Sequence, residues 1–456
     1  CRYHVSFTCK FVTAAQSLQA RERLGYEMDN ILKEEFYEEF CCTADQCSFT
    51  CCKGWEIMVD SDTYQKWESN AEQSEHICRH IKTKEDGPQT KKVINMGESM
   101  CCPFLNEKEL CNLFIKFGEE AMPKTCKVFP RQETSFGLLK EYSLSCACPT
   151  VIDMIHRLKG KIKFTLEGNA DTGDTDLLGF QIREAMIAIL QNNKFVLKDK
   201  ILLVFNMLLR LRKEPVITKE IMEKYRDEDY LTSLVEFCTK TVIKSKDSYQ
   251  EITELFIDIV LNYSHEKTFN PYLKDISNLA KSRNITEFAT RWELFKTEFG
   301  QNDLLLENCI VSKVFGNCIS DDMEEMIMSF QTIITEYVMT KYSSFLRVVI
   351  QESNSNKGQS MGETIGTANQ SRDVNANAEN QLSNLTANNV NRLNNVTGNC
   401  SSQGIKENLI NYKDIRDFIV IYSRIIGYNT EGMKEFWKEC FDEPIWGLDY
   451  ILLLMK

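Results

Sequence analysis

No apolar run in the sequence approaches the roughly 18 residues that a membrane-spanning helix requires; the longest, such as "ILLVF" at 201–205, stop far short. No membrane association is expected. The first thirty residues lack a basic stretch followed by an apolar segment and a small-residue cleavage site, so they do not read as a secretory signal, and the cytoplasm is the expected location. Positive charge is short as well. The net charge of -12 argues against a nucleic-acid partner and tolerates a lysine-bearing one. No Gly-x-Gly-x-x-Gly follows a strand pattern, so the usual nucleotide cradle is not expected, and no internal repeat is present.

What the chain has in excess is cysteine. Of nineteen, twelve fall between Cys41 and Cys148 and only five in the 308 residues that follow. In a reducing compartment such clustering points to metal or redox chemistry, whereas disulfide scaffolds belong mainly to short secreted chains. Export would reverse that reading. Soft sulfur donors suit zinc and iron-sulfur centres, and spacing carries the specificity. Four groups of thiols stand out: Cys41, Cys42, Cys47, Cys51 and Cys52; Cys101, Cys102 and Cys111; Cys126; and Cys146 with Cys148.

Familiar spacings fail. Repeated C-x-x-C pairs are missing, a C-x-x-x-C-x-x-C loop from Cys47 is broken by Gly54, and the bacterial ferredoxin run is absent. A discontinuous site assembled from several loops is what remains, with one member of each adjacent pair facing it. Cys238, Cys309, Cys318 and Cys440 read as small buried hydrophobes. His76 and His80 stand one helical turn apart around Cys78; a metal face is conceivable there, but a surface helix is the simpler reading.

The expected fold is mainly α: an irregular, cysteine-rich N-terminal metal-binding region, α with a little β, packed on an all-helical C-terminal domain. Residues 1–33 look like an extension and 34–156 hold the cysteines. Within them "EIMVDSDTYQKW" predicts a brief strand and then a helix capped by Ser61 or Asp62, while "KTKEDGPQTKK" at 82–92 reads as a solvated loop. A helical domain spans 157–350, with Leu178, Ile182, Met186 and Ile189 at helical spacing and a second helix starting near Asp199. Further helical patterns lie near 217–245, 249–264, 286–299 and 322–350. Residues 351–406, rich in Asn, Ser, Gly and Thr, are expected to be a disordered insertion, with 407–456 returning to helix and completing the domain.

The segments "FCCTADQCSFTCCKGWEIMVDSDTYQKW", "CPFLNEKELCNLFIKFGEEAMPKTCKVFPR" and "KEYSLSCACPTVIDMI" together resemble the flagellin lysine-N-methylase family of bacteria. The resemblance covers about residues 34–156, and the helical remainder matches loosely, chiefly at "DFIVIYSR". It implies methyl transfer from S-adenosylmethionine to lysine ε-amines on flagellin, with a [4Fe-4S] cluster, and places the family-type cysteines at Cys42, Cys47, Cys51, Cys52, Cys102, Cys111, Cys126 and Cys148. Cys41, Cys101 and Cys146 are extras of this sequence. In "YSRIIGYN" the family tends to carry acidic and histidine side chains where this chain has Ile425 and Tyr428. The alternative is a non-catalytic zinc- or iron-binding cysteine-rich module on a helical protein-interaction domain.

Methyl transfer needs an unprotonated amine, and free lysine, with a pKa near ~10.4, is almost wholly cationic at neutral pH. A base or a desolvating pocket is required. Glu141, just before the last cysteine group, is the candidate base, and Arg131 the candidate partner for the cofactor's carboxylate.

Overall fold

Strand-forming sequence ends at Glu167, and every later regular element among the described residues is a helix. The computed structural model describes residues 30–86, 89–136, 139–168, 178–241, 243–262, 268–282, 285–362, 410–428, 430–441 and 443–456. The mainly α architecture, with its limited β content near the N-terminus, is the one expected. Residues 1–29 of the expected extension and 363–406 of the expected insertion lie outside the described residues.

A four-stranded sheet runs in the order β5-β6-β1-β7, built from β1 (Asn30–Glu34), β5 (Arg131–Phe136), β6 (Leu139–Leu144) and β7 (Phe164–Glu167). β1 lies parallel to β6 and antiparallel to β7. The sheet crosses two expected boundaries, because β1 begins inside the stretch read as an extension and β7 inside the domain read as all-helical. Neither strand is conspicuous in sequence. β1 is five residues with Asn30, Lys33 and Glu34 all buried, so the alternation that signals a strand is missing.

The second sheet, in the order β2-β4-β3, comprises β2 (Met58–Val59), β3 (Ile81–Asp86) and β4 (Gln89–Ile94). The stretch expected as a solvated loop is therefore a hairpin, paired from Ile81↔Ile94 to Asp86↔Gln89. Its charged side chains mask the pattern. Only the Val93 and Ile94 end enters the core, where Ile57, Val59, Trp67, Ile77, Phe104 and Leu113 pack together. Trp67, fully buried, donates its indole N–H to the Ala121 carbonyl at 2.9 Å.

Asp60, rather than Ser61 or Asp62, caps the helix Ser61–Ser69. Its carboxylate accepts the Thr63 backbone N–H and hydroxyl, each at 2.9 Å. The same carboxylate accepts the Lys124 N–H at 2.8 Å at the start of the helix Lys124–Val128, so one residue fixes two helix ends.

The helical part includes the expected helices at Leu178–Leu190, Leu197–Leu211, Ser245–Asn262, Ile285–Phe299 and Tyr412–Tyr422. Leu448–Met455 falls in the stretch expected to return to helix, whereas Asn270–Lys281 and Asp303–Asn317 were not anticipated. Leu305 to Phe315 are buried without interruption, which removes the amphipathic signal. Helix Met323–Gly362 continues twelve residues past its expected end at 350, into the stretch read as disordered. Once a buried helix is nucleated, each added residue gains a hydrogen bond at small further cost. The chain divides into two compact units, Cys1–Leu346 with Tyr412–Lys456, and Arg347–Asn411.

Candidate functional site: a thiol cluster and an adjoining polar cavity

Three backbone contacts bring the first two cysteine groups together. Lys53 and Cys101 form an antiparallel bridge, the Cys102 N–H reaches the Cys52 carbonyl at 2.9 Å, and the Gly54 N–H reaches the Met100 carbonyl at 2.8 Å. Gly54 is required twice over, since it has φ +81° and a Cβ there would lie 2.4 Å from the Phe269 ring. Cys111 returns to the same place through the Leu105↔Cys111 bridge and the Asn112 N–H to Phe104 carbonyl bond at 2.7 Å, around a turn organised by the Asn106 side chain. Cys126 arrives on the short helix that Asp60 anchors.

The thiols sense one another. A hydrogen-bonding interaction with Cys52 and then burial hold Cys51 well above the usual thiol value, and interaction with Cys102 pushes Cys52 up to about 12. Burial first, then repulsion from Cys51, Cys52 and Cys111, raises Cys126 strongly, while burial also raises Cys111. Every described cysteine is a free thiol. Among the described residues, however, no three His, Cys, Asp or Glu side chains close into an arrangement that could hold a metal ion. Clustered free thiols are the donor type that suits a soft cation. The residues fit such a centre by chemistry, not as a preformed shell.

Cys47 and Cys148 adjoin this loop system, and Arg424 faces both of them together with Cys51. That guanidinium, 2 % exposed, donates to the carbonyls of Phe49 at 3.2 Å, Thr50 at 2.8 Å, Lys53 at 3.2 Å and Ala147 at 3.1 Å. Burial pushes its pKa down, opposed by Cys51, Cys148, Tyr428 and Cys47. Burial raises Cys47 and takes Cys148 up to about 12. Arg424 belongs to a π-helical turn, Ser423–Gly427, the kind of bulge that often marks functional sites. One residue beyond it, Tyr428 stacks on Trp55 at 5.3 Å and shares a 2.5 Å hydrogen bond with Ser145, and Trp55 in turn donates to the Cys51 carbonyl at 2.6 Å.

The opposite face of the turn borders a cavity of about 110 Å³, lined among others by Ser145, Cys146, Lys313, Glu336, Ser423 and Tyr428. Lys313 and Glu336 form a buried ion pair there, and Ser423 donates to Glu336 Oε2 at 2.9 Å. Glu336 raises the Lys313 pKa against burial, while burial raises that of Glu336. The Cys146 thiol is lowered, first by its interaction with Cys309 and also by Lys313.

Residues 183–397 match the family described as "FliB lysine N-methylase C-terminal domain". The chain is 30% identical over 131 residues to the flagellar biosynthetic protein FliU of Salmonella muenchen, an alignment covering 27% of this chain and 76% of that protein. The chain belongs to the FliB-type lysine-N-methylase family. The lysine-N-methylases of Salmonella typhimurium strain LT2 and Salmonella choleraesuis strain SC-B67 are likewise 30% identical over 131 residues, and the alignment spans about a third of their length, 32%. No solved structure matches.

Of the cysteines that the family resemblance singles out, Cys51, Cys52, Cys102, Cys111 and Cys126 come together, and Cys47 and Cys148 face Arg424, which faces Cys51 as well. Cys42 is exposed and acts on Cys47 through charge. Glu141 does not join the thiols. It is 3 % exposed in β6 and bound to Arg183 at 2.5 Å, a buried structural pair. Arg131 is held by the turn after β1, donating to the Phe40 carbonyl at 3.1 Å and lying over the rings of Phe40 and Tyr37. His76 is exposed, and His80 packs edge-on against Phe104. Sequence reasoning passed over Arg424, Lys313 and Glu336. Single charges set in apolar helical runs, "VSKVF" and "ITEYV", were the available signal.

Proposed function

We propose that the protein is a protein lysine methyltransferase that moves a methyl group from S-adenosylmethionine to lysine ε-amines on flagellin, with a [4Fe-4S] cluster held by thiols drawn from Cys51, Cys52, Cys102, Cys111 and Cys126. The observation that carries this reading is the convergence of those five free thiols from four separate segments in a chain of the lysine-N-methylase family. The names of the relatives, lysine-N-methylase and a flagellar biosynthetic protein, support the reaction and the substrate. When bound, the cluster would supply an electron-rich or Lewis-acidic centre beside the loop that Arg424 secures, on which Trp55 and Tyr428 stack against each other.

The test is direct. Full-length protein purified anaerobically is incubated with S-adenosylmethionine and flagellin, and flagellin is read by mass spectrometry for methyl increments on lysine. Methylated lysine with iron and sulfide in the protein is the expected result. Zinc alone, with no binding of S-adenosylmethionine and no methylation, would overturn it in favour of the binding module.

A further inference from the structure

We propose that the cavity beneath Tyr428 receives the side chain of the acceptor lysine, with Glu336 as the group that takes its proton. The inference rests on the methyltransferase reading and deepens it by assigning the acceptor site.

Size decides the class of occupant. The cavity, about 110 Å³, holds several waters, since one needs roughly 10–15 Å³. Pockets for drug-sized ligands run to about 300–1,000 Å³. A nucleoside therefore does not fit, and an unbranched side chain does. The rim is accessible: Asn317 is exposed and part of Tyr428 reaches solvent, whereas Lys313 and Glu336 at the far end are buried.

The carboxylate is arranged to accept one more donor. Lys313 and Ser423 both bond to Glu336 Oε2. Among the described residues no hydrogen bond ends on Oε1, which faces Gly427, where a Cβ would come within 2.7 Å of it. Glycine at that position avoids a clash with the oxygen, and both Gly427 and Glu336 line the cavity, from which the acceptor is approached. An amine placed there meets a carboxylate that burial makes more basic than usual. It also meets the fixed ammonium of Lys313, and a neighbouring cation favours the neutral form of a lysine. The other groups facing this end are Cys146 and Tyr428, with Cys309 and Glu34 acting on Cys146 and Cys309 through charge.

In the step itself the substrate ammonium gives one proton to Glu336 and becomes a free amine. Its nitrogen lone pair then forms the N–C bond as the C–S bond of a sulfonium methyl donor breaks, leaving a neutral thioether and a methylammonium. Glu336 afterwards returns its proton to water.

The probe is Nα-acetyl-lysine methylamide, titrated by NMR into the full-length protein without methyl donor. Glu336→Gln alone would strand Lys313, so the decisive variant is K313M/E336L, which removes both charges and keeps the volume; thermal melting checks its fold. The expected result is probe binding in the wild type and at least tenfold weaker binding in the folded double variant, with Gly427→Ala weakening binding comparably. On flagellin, kcat should fall about 10²-fold or more, the usual worth of a general base, with S-adenosylmethionine affinity unchanged. No probe binding in the wild type, or equal binding in the double variant, would overturn the assignment. If the probe binds through Glu336 while flagellin is never methylated, the amine site stands and the methyltransferase reading falls.

Discussion

Arg424 donates to the carbonyl oxygen of Thr50 at 2.8 Å, joining residues 374 positions apart and pinning the first cysteine loop to the C-terminal helices. Three further bonds, to Phe49, Lys53 and Ala147, share the same guanidinium. Lysine, with a point charge and no planar fork, cannot satisfy four carbonyls set around one plane. Hydrogen bonds to a charged group are worth about 1.5–3 kcal/mol each, and loss of the group strands buried acceptors. Arg424→Met is expected to lower stability by about 3 kcal/mol or more in urea titrations, and Arg424→Lys by a smaller amount. Hydrogen exchange in residues 47–54 should rise in both. Unchanged exchange there would show that the loop is held by other contacts.

Metal loading should separate the thiols. Cys51→Ser, Cys52→Ser, Cys111→Ser and Cys126→Ser are each expected to lose most of the iron and the visible chromophore of anaerobically purified protein, because a hydroxyl is a poor soft donor. Cys238→Ser and Cys318→Ser, buried in the helical part, should retain both. Iron content in Cys126→Ser equal to the wild type would remove Cys126 from the ligand set.

Long periodic helices were legible because one face of each is apolar. Leu178, Ile182, Met186 and Ile189 show this, and Ile182, Met186 and Ile189 are all buried. Asp303–Asn317 escaped because it is buried all round, and β1 because polar residues occupy its buried positions. At the site, cysteine counting found the thiols but not their grouping. The Lys53↔Cys101 and Leu105↔Cys111 bridges draw the cysteine loops together, and turn pairings of that length leave no periodic mark. Arg424 was passed over because nothing in its local sequence marks the π-helical turn that carries it or the four carbonyls that it meets.

The pair Arg183–Glu141 should behave as a structural unit. Both side chains are 2 % exposed and 2.5 Å apart, and Arg183 also lies over Phe136, Phe180 and Phe315. Removing one partner of a buried pair costs about 3–5 kcal/mol, whereas replacing both with apolar groups is often close to neutral. Arg183→Met is therefore expected to destabilise by that amount and R183M/E141L to recover most of it. If Glu141 were instead the catalytic base, the stable double variant would lose methylation altogether; retained activity is the expected outcome.

Glu34 predicts a pH dependence with a definite sign. Its side chain is buried in β1, one oxygen accepting the Leu144 N–H at 2.9 Å and the other without a hydrogen-bond partner among the described residues. Burial pushes its pKa from 4.5 up to about 8, against the pull of Ser312 and Leu144. The folded state thus binds a proton that the unfolded chain has already released. That contribution is fully present below about 4.5 and is lost as the pH rises through about 8. Each unit of displacement corresponds to about 1.4 kcal/mol, so wild-type stability should decline across this window by up to a few kcal/mol from this residue. Glu34→Gln keeps the shape and the acceptor for Leu144 while removing the titration. Its urea midpoint, measured at intervals from pH 5 to pH 8.5, is expected to fall less steeply than that of the wild type and to exceed it at the alkaline end. Parallel curves would mean that Glu34 ionises inside the fold without penalty.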